Sequence, residues 1–254
     1  MAISTPVKRT RNLYLPDAAK PFKLSRSKLE NFLNCPRCFY LDRRLGIGQP
    51  SGPPFNLNSA VDYLLKKEFD RYRTEGRPHP LMLAHGIDAI PYADERLAAW
   101  RENFKGVTHH HAATNLVISG AVDDLWINLR GELNVVDYKA TSKDSEVNLD
   151  AEWQISYKRQ MEIYQWLLRR NGLNVSGTGY FVYCNGRRDR GSFDGKLEFS
   201  VKIFPYVGDD SWVEQCILDA HRCLSSPHIP PFNPICDFCN YRVAALEAET
   251  GHGE

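Results

Sequence analysis

The sequence contains no apolar run approaching the roughly 18 residues that a membrane-spanning helix needs. Its opening stretch, Met1 to Leu15, carries Lys8, Arg9 and Arg11 but lacks the apolar segment of a signal peptide. A cytoplasmic protein is therefore expected. A surplus of one charge is missing too: 32 Lys and Arg stand against 31 Asp and Glu, so composition does not announce a nucleic-acid binder and any DNA-binding face must be local. Candidate basic clusters are Arg43 and Arg44, Lys66 and Lys67, Arg71 and Arg73, Lys158 and Arg159, Arg169 and Arg170, and Arg187, Arg188 and Arg190. Each alone reads as a solvated face. Internal repeats, low-complexity tracts and linkers long enough to force independent domains are also absent. Seven cysteines are an odd number for a chain of 254 residues, which argues against a secreted disulfide framework and makes metal binding worth testing.

What is present begins with a hydrophobic fraction of 43%, enough for a sizeable core. Ser27-Lys-Leu-Glu30 reads as a capping box, followed by a helical stripe of Leu29, Phe32 and Leu33, with Pro36 interrupting or restarting the helix. A Gly- and Pro-rich loop from Gly46 to Pro54 precedes a second helix of about four turns with Val61, Leu64, Leu65 and Phe69 on one face. A third helix is expected around Ala93 to Phe104. Leu116 to Ser119, Val122 to Leu129 and Leu133 to Ala140 read as three strands of a β-meander, with Arg130-Gly131 as a hairpin turn. Glu152 to Arg170 has the strongest helical signal, a stripe of Trp153, Tyr157, Tyr164 and Leu167 or Leu168. Strands at Gly179 to Cys184 and Leu197 to Phe204 and a helix at Ser211 to Leu224 follow.

Period-two geometry puts Asp137 and Lys139, in Asp137-Tyr138-Lys139, on the same face of the third meander strand. Alone, this pattern reads as a surface ion pair, and the neighbours change that reading. Asp123 lies one strand earlier, in Gly120-Ala-Val-Asp123-Asp124, and hairpin pairing can bring its carboxylate beside that of Asp137. Carboxylates so placed repel unless a cation lies between them, which suits Mg²⁺, while Lys139 can orient water or stabilise a transition-state anion. Gln160 interrupts the apolar stripe of its helix, one turn before Tyr164. It is either a satisfied core amide or a group reaching the carboxylate–lysine cluster or a phosphate.

Gly-x-x-Asp123, Asp137-x-Lys139 and Gln160-x-x-x-Tyr164, on strand, strand and helix in that order, resemble motifs of the RecB-type branch of the PD-(D/E)XK nucleases. The segment Leu24-Ser-Arg-Ser-Lys-Leu-Glu-Asn-Phe-Leu-Asn-Cys-Pro-Arg-Cys-Phe-Tyr resembles the first helix of the same branch, which includes the AddB nuclease domain and the CRISPR-adaptation exonucleases. The resemblance spans roughly residues 22 to 242. It implies a mixed α/β fold with a restriction-endonuclease-like αβββαβ core, additional N-terminal helices and a C-terminal cysteine-bearing segment. It also implies DNA as substrate, Mg²⁺ or Mn²⁺ at the site, and the backbone carbonyl of Tyr138 as a further metal ligand. Many members of this branch carry a metal-binding His on the second helix. Here Asp62, in Asn58-Ser-Ala-Val-Asp62, takes its place; it is a hard oxygen donor that suits Mg²⁺ or, alternatively, an exposed partner of Lys66 at i+4.

Cys35-Pro-Arg-Cys38 and Cys236-Asp-Phe-Cys239 are C-x-x-C pairs suited to four thiolates around one metal centre. In the related nucleases one N-terminal and three C-terminal cysteines hold an iron–sulfur cluster. The two-plus-two arrangement here leaves a [4Fe-4S] cluster, a zinc ion or no metal open, in that order of preference. Cys184, Cys216 and Cys223 read as small core residues, and His109, His110 and His111 as exposed polar strand residues. The expected organisation is a basic flexible tail over 1–21, one nuclease domain over 22–242 and a C-terminal tail over 243–254. The expected function is a DNA exonuclease or end-processing nuclease in repair, recombination or a CRISPR or phage context, with a helicase or another recombination or CRISPR protein as partner. A non-catalytic nucleic-acid-binding protein with the same scaffold is the alternative.

Overall fold

A computed structural model describes residues 8–50, 52 and 56–251. In chain order its elements are β1 (Phe22–Ser25), α1 (Arg26–Asn34), α2 (Pro36–Arg43), α3 (Asn56–Glu75), α4 (Pro80–Ala84), β2 (Ala89–Pro91) and α5 (Leu97–Trp100). Next come β3 (Val107–His111), β4 (Leu116–Gly120), β5 (Asp124–Asn128), β6 (Leu133–Thr141), a 3₁₀ turn (Glu152–Gln154) and α6 (Ile155–Arg170). β7 (Thr178–Gly186), β8 (Phe199–Val207), α7 (Val213–Ser225) and α8 (Asp237–Gly251) complete the series. Of the described residues, those within 53–109 and 119–211 form one compact unit and those within 1–52, 110–118 and 212–254 form another.

The first of these holds a five-stranded sheet in the order β2-β5-β6-β7-β8, in which only β6 and β7 are parallel. Helix, three strands, helix and strand follow one another as α3, β2, β5, β6, α6 and β7, which is the mixed α/β αβββαβ order expected. The membership of the strands differs from the meander. β4, expected beside β5 and β6, joins a separate sheet in the order β1-β4-β3. Its place is taken by β2, three residues ending in Pro91 that carry too short a pattern to read as a strand. Pro91 has no amide hydrogen to donate, so an edge position suits it.

On one sheet face α3 lays Leu65 and Phe69 against Trp126, Val136, Tyr138, Val182 and Ile203. α6 approaches β7 closely, because Gly179 has no Cβ; one would lie 2.4 Å from Met161 Sδ and 2.9 Å from the Val135 carbonyl oxygen. Nine consecutive residues of α6, Gln160 to Leu168, are buried. The expected single stripe is thus an all-round buried helix, and Trp153, assigned to that stripe, lies in the 3₁₀ turn with 52% of its surface exposed. Only Leu97–Trp100 of the helix expected at 93–104 is α-helical; Asp94 Oδ1 accepts the Arg96 amide (2.8 Å) as a local turn in place of a helical start.

In the other unit α1 and α2 pack on each other and both meet α7, with Leu29, Phe39, Ile217, Ala220 and Leu224 buried. α1 begins at Arg26, so Ser27 sits inside the helix and bonds Ser25 Oγ (3.0 Å) without capping the helix end. Pro36 restarts the chain as the first residue of α2, where its missing amide hydrogen costs nothing. His111, expected to be exposed, is buried between Thr114 Oγ1 (2.8 Å) and Glu214 Oε1 (2.7 Å). Cys184 and Cys216 are buried and Cys223 is half-buried. Among the described residues no helix is long and apolar enough to cross a membrane.

Asp42 is the charge centre of this unit. Its buried carboxylate meets Arg43 (2.7 Å), Lys28 (2.9 Å) and Arg9 (3.1 Å). Burial opposes the charge, but Arg43 and Lys28 outweigh it and hold the pKa down to about 2 from an ordinary 3.8. A carboxyl with a depressed folded pKa stabilises the fold above its unfolded pKa and loses that contribution as pH falls. About 2 kcal/mol should therefore disappear between pH about 4 and about 2. Urea unfolding across this range should show the slope in the wild type, and Asp42→Asn should remove it.

Candidate active site

β6 carries apolar Leu133, Val135 and Val136 ahead of the site and alternates its faces along its length. Val136 and Tyr138 join the core under α3, whereas Asp137 and Lys139 point to the other face, where they form an ion pair. Asp137 has no exposed surface and Lys139 is 14% exposed in its side chain. Gln160 on α6 closes this pair from above. Its Nε2 donates to Asp137 Oδ1 (2.8 Å) and lies 3.1 Å from Tyr164 Oη, and Lys139 Nζ lies 3.5 Å from its Oε1. The amide that breaks the apolar pattern of α6 thus has its partners in the acidic cluster. Burial lowers the tendency of Lys139 to stay charged, but Asp137 and Asp123 outweigh it and hold the ammonium pKa above its ordinary value.

Asp124 pairs with Val136 across the β5–β6 hairpin, which sets Asp123 opposite the 137–138 step. Asp123 Oδ2 accepts the Tyr138 backbone amide (3.0 Å). Asp123 Oδ1 faces Lys66 Nζ (3.0 Å), which also reaches Asp62 Oδ2 (2.8 Å). Asp62 and Lys66 are one helical turn apart on α3, so Asp62 makes the expected i+4 pair, though half-buried where exposure was expected, and it also borders the site. Asp62, Tyr138, Lys139 and Tyr157 line a cavity of about 100 Å³ together with Asn58 and Leu65. Burial, and then the charge of Asp123, raise the Asp62 pKa; the same carboxylates raise that of Lys66 against the effect of its own burial.

Reading the sequence did not single out the support beneath these groups. Asp124, with no exposed surface, accepts Tyr138 Oη–H (2.7 Å), Arg101 Nη2 (2.8 Å), its neighbour's Leu125 amide (2.8 Å) and Arg73. Arg101 Nε in turn donates to the Asp123 carbonyl (2.9 Å). Tyr157 was assigned only to the apolar stripe, yet its ring lies 4.4 Å from Lys139 Nζ. Gly120 also gains a reason: a Cβ there would stand 2.6 Å from Tyr164 Cε1, so the glycine of Gly-x-x-Asp123 makes room for the tyrosine that touches Gln160.

The four cysteines of the two C-x-x-C pairs come together in the other unit. Their sulfurs all lie within 4.8 Å of one another, three of the residues are buried and Cys236 is half-buried. This arrangement is compatible with a metal centre.

The sequence profile of the PD-(D/E)XK nuclease superfamily matches residues 56–244, and the chain belongs to that superfamily. It is thereby a nuclease-type hydrolase of a family that uses divalent metals. Among solved structures it is similar to that described as the crystal structure of SSO0001, with 18% identity, a TM-score of 0.45 and coverage of 87% of this chain and 84% of that one. It is also similar to LHK-Exo in complex with dAMP, with 11% identity, a TM-score of 0.39 and coverage of 90% and 93%. No curated protein sequence matches.

Removing the Asp124 carboxylate would take from the Arg73 and Arg101 guanidiniums, 10% and 14% exposed, the buried anion they share and leave them, as anionic partner, only the half-exposed Asp70, which both also meet. Asp124→Ala should destabilise the fold by about 3–5 kcal/mol, read as a lower urea midpoint. A change below about 1 kcal/mol would show that the network carries no such weight.

Proposed function

We propose that the chain is a metal-dependent deoxyribonuclease whose working groups are Asp62, Asp123, Asp137, Lys139, Gln160 and Tyr164. The observation that carries this reading is the convergence of Asp123, Asp137 and Lys139 at one end of the β5–β6 hairpin, with Gln160 bonded to Asp137. A module that only binds nucleic acid has no use for clustered carboxylates, which repel phosphate.

The donor chemistry fits the family's metal. Asp62, Asp123, Asp137 and the Tyr138 carbonyl are hard oxygen ligands suited to Mg²⁺ or Mn²⁺. When bound, such an ion supplies Lewis-acid neutralisation of phosphate charge. The protein's own groups do the rest. Gln160 fixes the rotamer of Asp137 by holding Oδ1. Lys139, kept charged by the neighbouring carboxylates, presents a cation to the charge that builds on the phosphate as the ester bond breaks. Tyr157 holds that ammonium against its ring, and its edge-on neighbour Trp153 (centroids 5.3 Å apart) is exposed, a surface on which a nucleobase can stack. The RecB-type motif order supports an exonuclease or end-processing role in repair, recombination or phage and CRISPR settings.

Labelled single- and double-stranded DNA incubated with Mg²⁺ or Mn²⁺ tests this directly. Lys139→Ala and Asp137→Asn should each lower cleavage by on the order of a hundredfold or more while DNA retention in a gel-shift assay persists. Cleavage unchanged in Lys139→Ala would overturn the mechanism, and binding without any cleavage by the wild type would favour the non-catalytic alternative. Asp62→Ala should move the Mg²⁺ concentration for half-maximal rate upward by about tenfold. A titration superimposable on the wild type would reduce Asp62 to a partner of Lys66.

A further inference from the structure

The spacing of the cysteine sulfurs discriminates between the centres that four thiolates can build. A single tetrahedral ion with metal–sulfur bonds of about 2.3 Å separates its sulfurs by 2.3 × 1.63, about 3.8 Å. A four-iron cubane binds each thiolate to a different iron and spreads the sulfurs to roughly 6 Å. Cys35 and Cys239 stand 3.7 Å apart, Cys38 and Cys236 3.7 Å, and Cys38 and Cys239 3.8 Å. No pair exceeds 4.8 Å, so the quartet is too tight for a cubane. The Cys38 amide donates to Cys35 Sγ (3.4 Å), an orientation that supports a thiolate ligand.

We propose that Cys35, Cys38, Cys236 and Cys239 hold one zinc ion, and not the iron–sulfur cluster that the family resemblance implies. Four thiols lose their protons to solvent and bind the ion through four Zn–S bonds, with no change of oxidation state. The geometry and the soft, all-thiolate donor set call for one thiophilic ion, and zinc is chosen over a lone ferrous iron because it stands above Fe²⁺ in the affinity order of divalent metals.

This ion also anchors α8. Cys239 is the only buried residue of that helix, while Tyr241 and Leu246 are 72% and 62% exposed. A helix without a buried apolar face gains little from packing, and here the ligand bond from Cys239 replaces that packing. Cys236, just ahead of the helix, supplies the second attachment, and Cys35 and Cys38 at the start of α2 receive both.

The full chain should be purified without air from cells supplied with both iron and zinc, then analysed by elemental analysis and visible absorption. About one zinc per chain, no iron and a colourless solution are expected. Brown protein with several irons per chain, or protein with neither metal and four freely titrating thiols, would overturn the proposal. Replacing zinc with Co²⁺ should give the intense ligand-field bands of a tetrahedral thiolate site; an octahedral spectrum would count against it. Cys236→Ser with Cys239→Ser should lose the zinc and expose the segment after Ile235 to limited proteolysis on the order of tenfold faster. Zinc retained by that double variant would place the ion elsewhere. These readouts do not depend on DNA cleavage, so the zinc assignment and the nuclease reading can fail separately.

Discussion

The carboxylate of Asp124 is shut away from solvent, so its charge must be met by protein groups or not at all. Two guanidiniums, a phenol and a backbone amide meet it, and each is tied to something the candidate site needs. Arg101 reaches the backbone of Asp123. Tyr138, whose hydroxyl is kept protonated by burial and by Asp124 itself, sits between Asp137 and Lys139 in the chain. Arg73 comes from α3 and anchors that helix to Tyr92's carbonyl (2.7 Å) as well. One buried anion thereby fixes the end of β5, the middle of β6 and the inner side of α3.

The alternation of β6 turns that fixed frame into two environments. Val136 and Tyr138 face an apolar core, and the residues between and after them face α6 across a polar cluster. A strand interior buried on both sides ordinarily excludes charge, so Asp137 is tolerated only because Gln160 and Lys139 answer its two oxygens. The same logic governs the rim, where Lys66 lies between Asp62 and Asp123. Carboxylates this close need cationic company, and the ammonium of Lys66 supplies it.

The groups that meet in the site were legible because each breaks a local pattern: Asp137 and Lys139 end an apolar strand, and Gln160 sits where the helical stripe calls for an apolar side chain. The C-x-x-C pairs were legible from ligand spacing alone. The supporting residues were not, because Asp124, Arg73 and Arg101 look like surface charges until tertiary contacts bury them. β2 was invisible since three residues carry too little periodicity, and without it β4 was the nearest strand-like run to complete the sheet. His111 was misplaced for a similar reason: period two fixes which face a histidine takes, not whether Glu214 arrives to cover it.

The near-balance of charge also acquires a structural meaning. Arginines that cluster in sequence are largely matched in space: Arg169 with Asp210, Arg187 with Asp189, Arg188 with Asp144 and Arg190 with Glu198. Exposed pairs of this kind add little to stability, but they cancel the field that would attract a polyanion from a distance. With a net charge of +1, any affinity for a phosphate backbone would have to arise from short-range features. Such features occur beside the acidic cluster: Lys143 lies 5.3 Å from the Trp153 ring, Trp153 meets Tyr157 edge-on, and Tyr157 carries Lys139 at its face. Under the proposed nuclease reading, a row of alternating cations and rings that ends at the acidic cluster would attract phosphate and base together, and would do so only for a strand already at the site.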